Sequence, residues 1–143
     1  MLKPNKTEAI LHQAEMGLEG LRVLVIEDEP DSAELMTVIL ECDGAEVTAV
    51  GLARDALTAL RSFKPDLLIS SIELPDADVY TLIRKLRSNL LEQGSQTPAL
   101  AVVGYAGAVS HKLVLAAGFQ MCLSKPITPD QLVAAVLSLT ERR

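Results

Sequence analysis

The chain has 143 residues, 49% of them apolar, and a formal net charge of -6 at neutral pH. This length and apolar content are sufficient for one domain with a hydrophobic core and short for two. The acidic balance argues against nucleic acid or an anionic membrane as a direct partner, because both repel a negatively charged surface.

Targeting and redox signals are weak throughout the sequence. The longest nearly uncharged stretch, residues 97–110, is interrupted by Gly104 and Gly107, so it falls short of a membrane-spanning helix. Charged residues interrupt the amino-terminal segment, which therefore lacks the apolar core of a secretory signal, and we expect a cytoplasmic protein. Cys42 and Cys122 lie far apart without metal-binding spacing, so both are predicted to be small buried apolar residues.

Short apolar runs alternate with amphipathic segments along most of the chain. Residues 1–20 are predicted to form an added helix or linker containing His12, which is expected to be solvated. From residue 21 to 143 we predict one domain. Its predicted strands are residues 21–26, 46–50, 67–69, 99–103 and 121–124, and its predicted helices are residues 31–41, 52–63, 80–90, 109–117 and 128–140.

This alternation predicts the fold. Parallel strands need helical crossovers, and those crossovers are right-handed. The sequence therefore predicts an α/β three-layer sandwich built on a doubly wound, five-stranded parallel sheet of the flavodoxin-like type, with strand order 2-1-3-4-5.

Residue spacing also predicts which helix faces are apolar. In the first helix Leu35, Val38 and Ile39 are predicted to share one apolar face. In the third helix Arg84, Lys85 and Arg87 are predicted to form a solvated outer face. The last helix has Thr128 as a candidate cap and a proline at its first position.

Polar side chains follow three of the predicted strands. Glu27 and Asp28 follow the first strand, Ser71 ends the third, and Lys125 follows the fifth. In a parallel sheet these ends share one crevice. Consecutive carboxylates suit a hard divalent cation such as Mg²⁺. Alternatively, Glu27 and Asp28 only cap the first helix and Lys125 pairs with them for stability; the residue pattern leaves both interpretations open.

Three motifs in the same order resemble the receiver domain of bacterial two-component response regulators. They are VIEDEP at residues 25–30, PDLLI at 65–69 leading to LPDAD at 74–78, and AAGF at 116–119 followed by LSKP at 123–126. The resemblance covers residue 21 to about residue 139. In that family an aspartate at the end of the third strand takes a phosphoryl group from a phosphohistidine, with Mg²⁺ held nearby.

The resemblance implies a role for each matching position. Glu27 and Asp28 match the acidic pair that holds Mg²⁺, and the backbone carbonyl of Glu73 matches the remaining protein ligand. Lys125 matches the lysine that contacts the phosphoryl oxygens. Pro126 matches the proline that follows it, which often forms a cis peptide bond.

Three positions depart from the family pattern. The phosphoacceptor position holds Ser71, the phosphoryl-binding hydroxyl is replaced by Val103, and the rotating aromatic residue is replaced by Cys122. A serine hydroxyl is a poor nucleophile without a neighbouring base. The loss of one carboxylate should also lower the affinity for Mg²⁺. The sequence thus predicts a pseudo-receiver with no cofactor or with weakly bound Mg²⁺.

Such a protein is expected to act by docking and not as an enzyme. The partner implied by the resemblance is a histidine kinase, another receiver or an output domain. The predicted docking surface comprises the fourth helix, the fifth strand and the last helix, with Ala108, Lys112, Leu115 and Gln131 as exposed contributors.

Two other functions remain open from the sequence. One is a working receiver phosphorylated on Glu73, Asp76 or Ser71. The other is a binder of a flavin or nucleotide, which the acidic loop at residues 27–30 disfavours because it would repel phosphates.

Overall fold

The computed structural model describes residues 17–88, 96–104 and 111–140. The predicted amino-terminal helix with His12 lies almost wholly outside these residues, as do Ala108 and the predicted end of the third helix. The described elements are β1 (Arg22–Ile26), α1 (Pro30–Cys42), β2 (Glu46–Val50), α2 (Ala53–Phe63), β3 (Leu67–Ser71), α3 (Val79–Ser88), β4 (Ala99–Val103), α4 (His111–Ala117), β5 (Met121–Ser124) and α5 (Pro129–Leu139).

The strands form one parallel sheet in the order β2-β1-β3-β4-β5, which confirms the predicted fold. Ile26 of β1 lies opposite Ser70 of β3, and Val103 of β4 lies opposite Ser124 of β5. Because the strands are parallel and in this register, their carboxyl ends reach the same edge of the sheet.

Helices cover both faces of the sheet. Alternate residues of β1 and β3 point to opposite faces, so Leu24 and Leu68 pack with α2 and α3, whereas Val25 and Ile69 pack with α1 and α5. All five residues of β3 are buried. The continuous apolar runs in the sequence therefore correspond to strands that are buried on two sides.

The predicted apolar face of α1 is confirmed for Ile39 and wrong for Leu35 and Val38. Met36, Ile39 and Leu40 are the buried residues of this helix. Leu35 and Val38 are 54% and 50% exposed. Five apolar residues within six positions are more than one helix face can bury, so spacing alone does not decide which of them face the core.

The cysteine prediction is also corrected. Cys42 is the last residue of α1 and is exposed, and Cys122 is half-buried. Partial burial raises the pKa of the Cys122 thiol. A raised pKa disfavours the reactive thiolate at neutral pH.

Arg87 is not part of a solvated charge run. Its guanidinium donates to the carbonyl oxygen of Gly118 at 3.1 Å, to Gln120 Oε1 at 2.8 Å and to the carbonyl oxygen of Thr97. Gln120 Oε1 also accepts the amide of Ala99 at 2.7 Å. Partial burial lowers the pKa of the Arg87 guanidinium. Arg87 therefore ties the end of α3 to the start of β4 and to the turn after α4.

Replacing Arg87 by alanine should lower the free energy of unfolding by about 2 kcal/mol, because three acceptors lose a charged donor. The value is below the sum of three separate bonds because the guanidinium is partly exposed to water. The exposed Arg84 on the same helix offers a matched control, and Arg84→Ala should change stability by less than about 0.5 kcal/mol. Urea denaturation of both variants measures the difference, and equal midpoints would contradict the assignment.

Candidate functional site

The site lies where β1, β3 and β5 end. The backbone ladder continues one residue beyond two of these strands, since the amide of Glu27 donates to Val50 O at 2.9 Å and the amide of Lys125 donates to Val103 O at 2.9 Å. Ser71 follows Ser70, which lies opposite Ile26. The structure thus brings the predicted residues Glu27, Ser71 and Lys125 to one edge of the sheet.

A partly buried ion pair joins two of these ends. Lys125 Nζ lies 2.9 Å from Glu27 Oε1, and the two side chains are 24% and 2% exposed. Lys125 Nζ also donates to Ser32 Oγ at 3.1 Å. A carboxylate that has lost its water needs such a partner. The ammonium group therefore holds the ends of β1 and β5 and the first turn of α1 together.

The cap of α1 is Glu29. Its carboxylate accepts the amide of Ser32 at 2.7 Å and the amide of Asp31 at 3.2 Å. These bonds, with that of Ser32 the largest cause, lower the pKa of Glu29. Glu27 Oε2 in turn accepts the amide of Glu29 at 3.3 Å, and Asp28 is exposed. The part of the alternative in which Glu27 and Asp28 cap this helix is therefore wrong, whereas the pairing of Lys125 with Glu27 is confirmed.

Ser71 is 8% exposed and bonds to the loop that follows it. Its Oγ donates to the carbonyl oxygen of Glu73 at 3.2 Å and accepts the amide of Glu73 at 3.2 Å. Over the described residues, both hydrogen bonds of this hydroxyl go to the Glu73 backbone. A serine hydroxyl becomes a nucleophile when a base accepts its proton, and a backbone carbonyl is not such a base.

The carboxylates of the β3–α3 loop serve helix ends. Asp76 accepts the amides of Ala53 and Arg54 at the start of α2 at 2.8 and 3.2 Å. The bond to Ala53 is the largest cause that lowers the pKa of Asp76. Asp78 accepts the amide of Tyr80 in the first turn of α3 at 3.0 Å. Asp78 also accepts the hydroxyl of Thr81 at 3.3 Å, so both carboxylates are engaged by donors at the starts of helices.

The residues at this edge do not fit a tightly bound Mg²⁺. Within ranges 17–88, 96–104 and 111–140 there is no group of three or more His, Cys, Asp or Glu side chains that could hold a metal ion. Glu27 is paired with Lys125, and the carbonyl of Glu73 already accepts the Ser71 hydroxyl. Because a hard cation binds in proportion to ligand charge, this donor set is poor.

The two positions expected to transmit phosphorylation carry side chains of the wrong chemistry. Val103 is buried in the apolar core and its side chain has no donor. Cys122 packs partly buried against the same core. The peptide bond between Lys125 and Pro126 is cis, as the resemblance implied.

A cleft of about 160 Å³ opens beside Lys125, and the sequence pattern did not predict it. It is lined by Ser32, Leu35, Met36, Val102, Lys125, Pro126 and Ile127. The excess of apolar residues in α1 is the signal that could have located it, because an apolar residue that the core cannot accept must face outward.

On the predicted docking surface, Lys112, Leu115 and Gln131 are all exposed. Leu113, which is not among the predicted contributors, is 66% exposed and Leu115 is 46% exposed. Val114 between them is the buried residue of α4. In the sequence Leu113 and Leu115 flank Val114 directly. One helix face cannot bury three consecutive apolar residues, and this pattern could have indicated that the leucines are exposed.

The fold and this edge define a doubly wound α/β domain of the flavodoxin-like class, with acidic residues after β1 and a lysine after β5. The family model for the response regulator receiver domain matches residues 23–137. The chain therefore belongs to the receiver domain family of two-component signalling.

Relatives and solved structures agree with this family. The chain is 35% identical over 119 residues to an uncharacterized 14.6 kDa protein of Leptolyngbya boryana, covering 83% of this chain and 89% of that one. It is 31% identical to the DNA-binding response regulator MtrA of Mycolicibacterium smegmatis over 85% of its length, but spans only 51% of MtrA. A crystal structure of a putative response regulator from Chloroflexus aurantiacus superposes with a TM-score of 0.79 at 28% identity, covering 85% of this chain and 98% of that chain.

None of the helices in the part of the chain that the structure describes is long and apolar enough to cross a bilayer.

Proposed function

We propose that this receiver domain is a pseudo-receiver, which is not phosphorylated at the usual position and works by docking to a protein partner. The observation that carries the proposal is Ser71, a neutral hydroxyl at the end of β3 that is bonded to the backbone of Glu73. Such a group lacks both the charge of a carboxylate acceptor and a base to activate it.

The substitute acceptors are poorly placed for the same reaction. The oxygens of Asp76 already accept two helix amides, which any phosphoryl group on this carboxylate would displace. Glu73 is exposed in the loop and lies beyond the strand end. The competing function is a working receiver that is phosphorylated on Glu73, Asp76 or Ser71. Incubation with acetyl phosphate distinguishes it from a pseudo-receiver.

Docking is supported by exposed apolar side chains on two helices. Leu113 and Leu115 project from α4, and Leu35 and Val38 project from α1. Exposed apolar groups of this size are favourable contacts for a protein partner. The partner class is a histidine kinase, another receiver or an output domain, and the net charge of -6 disfavours direct contact with nucleic acid. The proposed activity is binding without catalysis.

Incubation with acetyl phosphate and Mg²⁺ tests the proposal. The wild-type chain should show no species heavier by one phosphoryl group in its intact mass, because Ser71 is not activated. Ser71→Asp restores the carboxylate at the same position and serves as the positive control.

A phosphorylated wild-type chain would overturn the proposal and favour the competing function. Peptide mapping after Glu73→Gln and Asp76→Asn would then identify the acceptor. A chain that stays unlabelled while Ser71→Asp is labelled would support the pseudo-receiver function.

A further inference from the structure

The start of α2 has no cap from its own sequence. Leu52 at the cap position has an extended backbone, with φ of -128° and ψ of 146°, and makes no side-chain cap hydrogen bond. The first amides of a helix have no partner within the helix and need acceptors from elsewhere.

Asp76 supplies those acceptors from a different loop. Each of its two carboxylate oxygens accepts one amide, that of Ala53 at 2.8 Å and that of Arg54 at 3.2 Å, across 22 to 23 positions of sequence. We propose that Asp76 is a positioning residue, which fixes the β3–α3 loop (residues 72–78) against α2 and thereby sets the place of the Glu73 backbone in the site.

The other hydrogen-bonded attachments of this loop lie at its two ends, and Ile72 and Leu74 pack partly buried against the core. At the first end Ser71 Oγ bonds to the Glu73 backbone. At the far end Asp78 caps α3, and a bridge joins Glu73 to Asp78. Between these ends the polar link to a separate element is Asp76. Apolar packing has no preferred direction, so a directional polar link near the middle of the loop restricts its shape further.

The charges around Asp76 are consistent with this role. Arg54 on α2 attracts the carboxylate, but this attraction lowers the pKa of Asp76 less than the hydrogen bonds from the backbone amides do. Asp55 lies in the first turn of the same helix and Asp78 lies in the same loop. Asp55 brings the same charge to the helix start without appearing in any cap bond, so it offers a matched control.

Hydrogen exchange of the full chain, followed by mass spectrometry at neutral pH, tests the proposal. Asp76→Asn keeps the shape of the side chain but loses one acceptor oxygen and the charge. It should speed exchange about fivefold to tenfold in residues 72–78 and at the amides of Ala53 and Arg54. Asp76→Ala should give a larger change in the same residues. Asp55→Asn should leave the exchange rate of these same residues within about twofold of wild type.

A uniform acceleration that includes β1 and β3 would overturn the proposal, since it would show an effect on global stability alone. Unchanged exchange of residues 72–78 in Asp76→Asn would overturn it as well. The experiment uses no phosphodonor and no partner, so its outcome is independent of the proposed function.

Discussion

Replacing Lys125 by methionine is expected to lower the free energy of unfolding by about 3 kcal/mol. Methionine keeps much of the apolar stem but removes the ammonium group, which leaves the Glu27 carboxylate without its cation. That side chain is only 2% exposed, so water cannot replace the lost partner. Ser32 Oγ also loses a donor. For a domain of this size the change corresponds to a fall of about 10 °C in the thermal midpoint.

A double-mutant cycle separates the ion pair from general packing. Glu27→Gln removes the charge and should cost less than Lys125→Met, because a neutral amide is easier to bury. The double variant should recover about 1 to 3 kcal/mol relative to the sum of the two single changes. Lys112→Met, at an exposed position of α4, is the control for replacing a lysine by methionine. A stability of Lys125→Met within about 0.5 kcal/mol of wild type would contradict the expected importance of this pair.

The fold was predictable because its determinants are local. The three central strands β1, β3 and β4 are buried on both faces, so each of them appears in the sequence as a short apolar run. The edge strands β2 and β5 are only partly buried. The predicted cap at Thr128 is confirmed, as its side chain accepts the amide of Gln131 at 3.1 Å. Gly44 has a φ of 99°, a positive value that glycine adopts readily and that is common just after the end of a helix. Each of these features depends on neighbours within a few positions.

Contacts between distant residues were not predictable from the same patterns. Arg87 lies in an apparent run of surface charge, yet it binds carbonyl groups ten and 31 positions away. Asp76 lies in an acidic loop, and nothing in its surroundings in the sequence indicates that it caps α2. The residues of the site could be placed at one edge from strand ends alone. The hydrogen bonds of these residues could not be predicted from strand ends. It is Glu29, and not Glu27 or Asp28, that accepts the first amides of α1.

Replacing Ser71 by aspartate is expected to make the stability of the domain dependent on Mg²⁺. The site of the wild type holds two carboxylates and one ammonium group, and the variant adds a third carboxylate at a position that is 8% exposed. Without Mg²⁺ the added charge should lower the free energy of unfolding by about 2 kcal/mol, through repulsion and lost hydration. At a Mg²⁺ concentration one hundred times Kd, binding to the folded state should raise the free energy of unfolding by about 2.7 kcal/mol.

Thermal unfolding with and without Mg²⁺ measures both effects, and Ser71→Asn controls for the size of the new side chain without its charge. Wild type and Ser71→Asn should respond to Mg²⁺ no more than to the same ionic strength of NaCl, because hard-cation affinity follows ligand charge. A wild-type response equal to that of Ser71→Asp would show that the acidic edge binds Mg²⁺ without a third carboxylate. Absence of any response in Ser71→Asp would show instead that the Lys125–Glu27 ion pair keeps this edge closed to the cation.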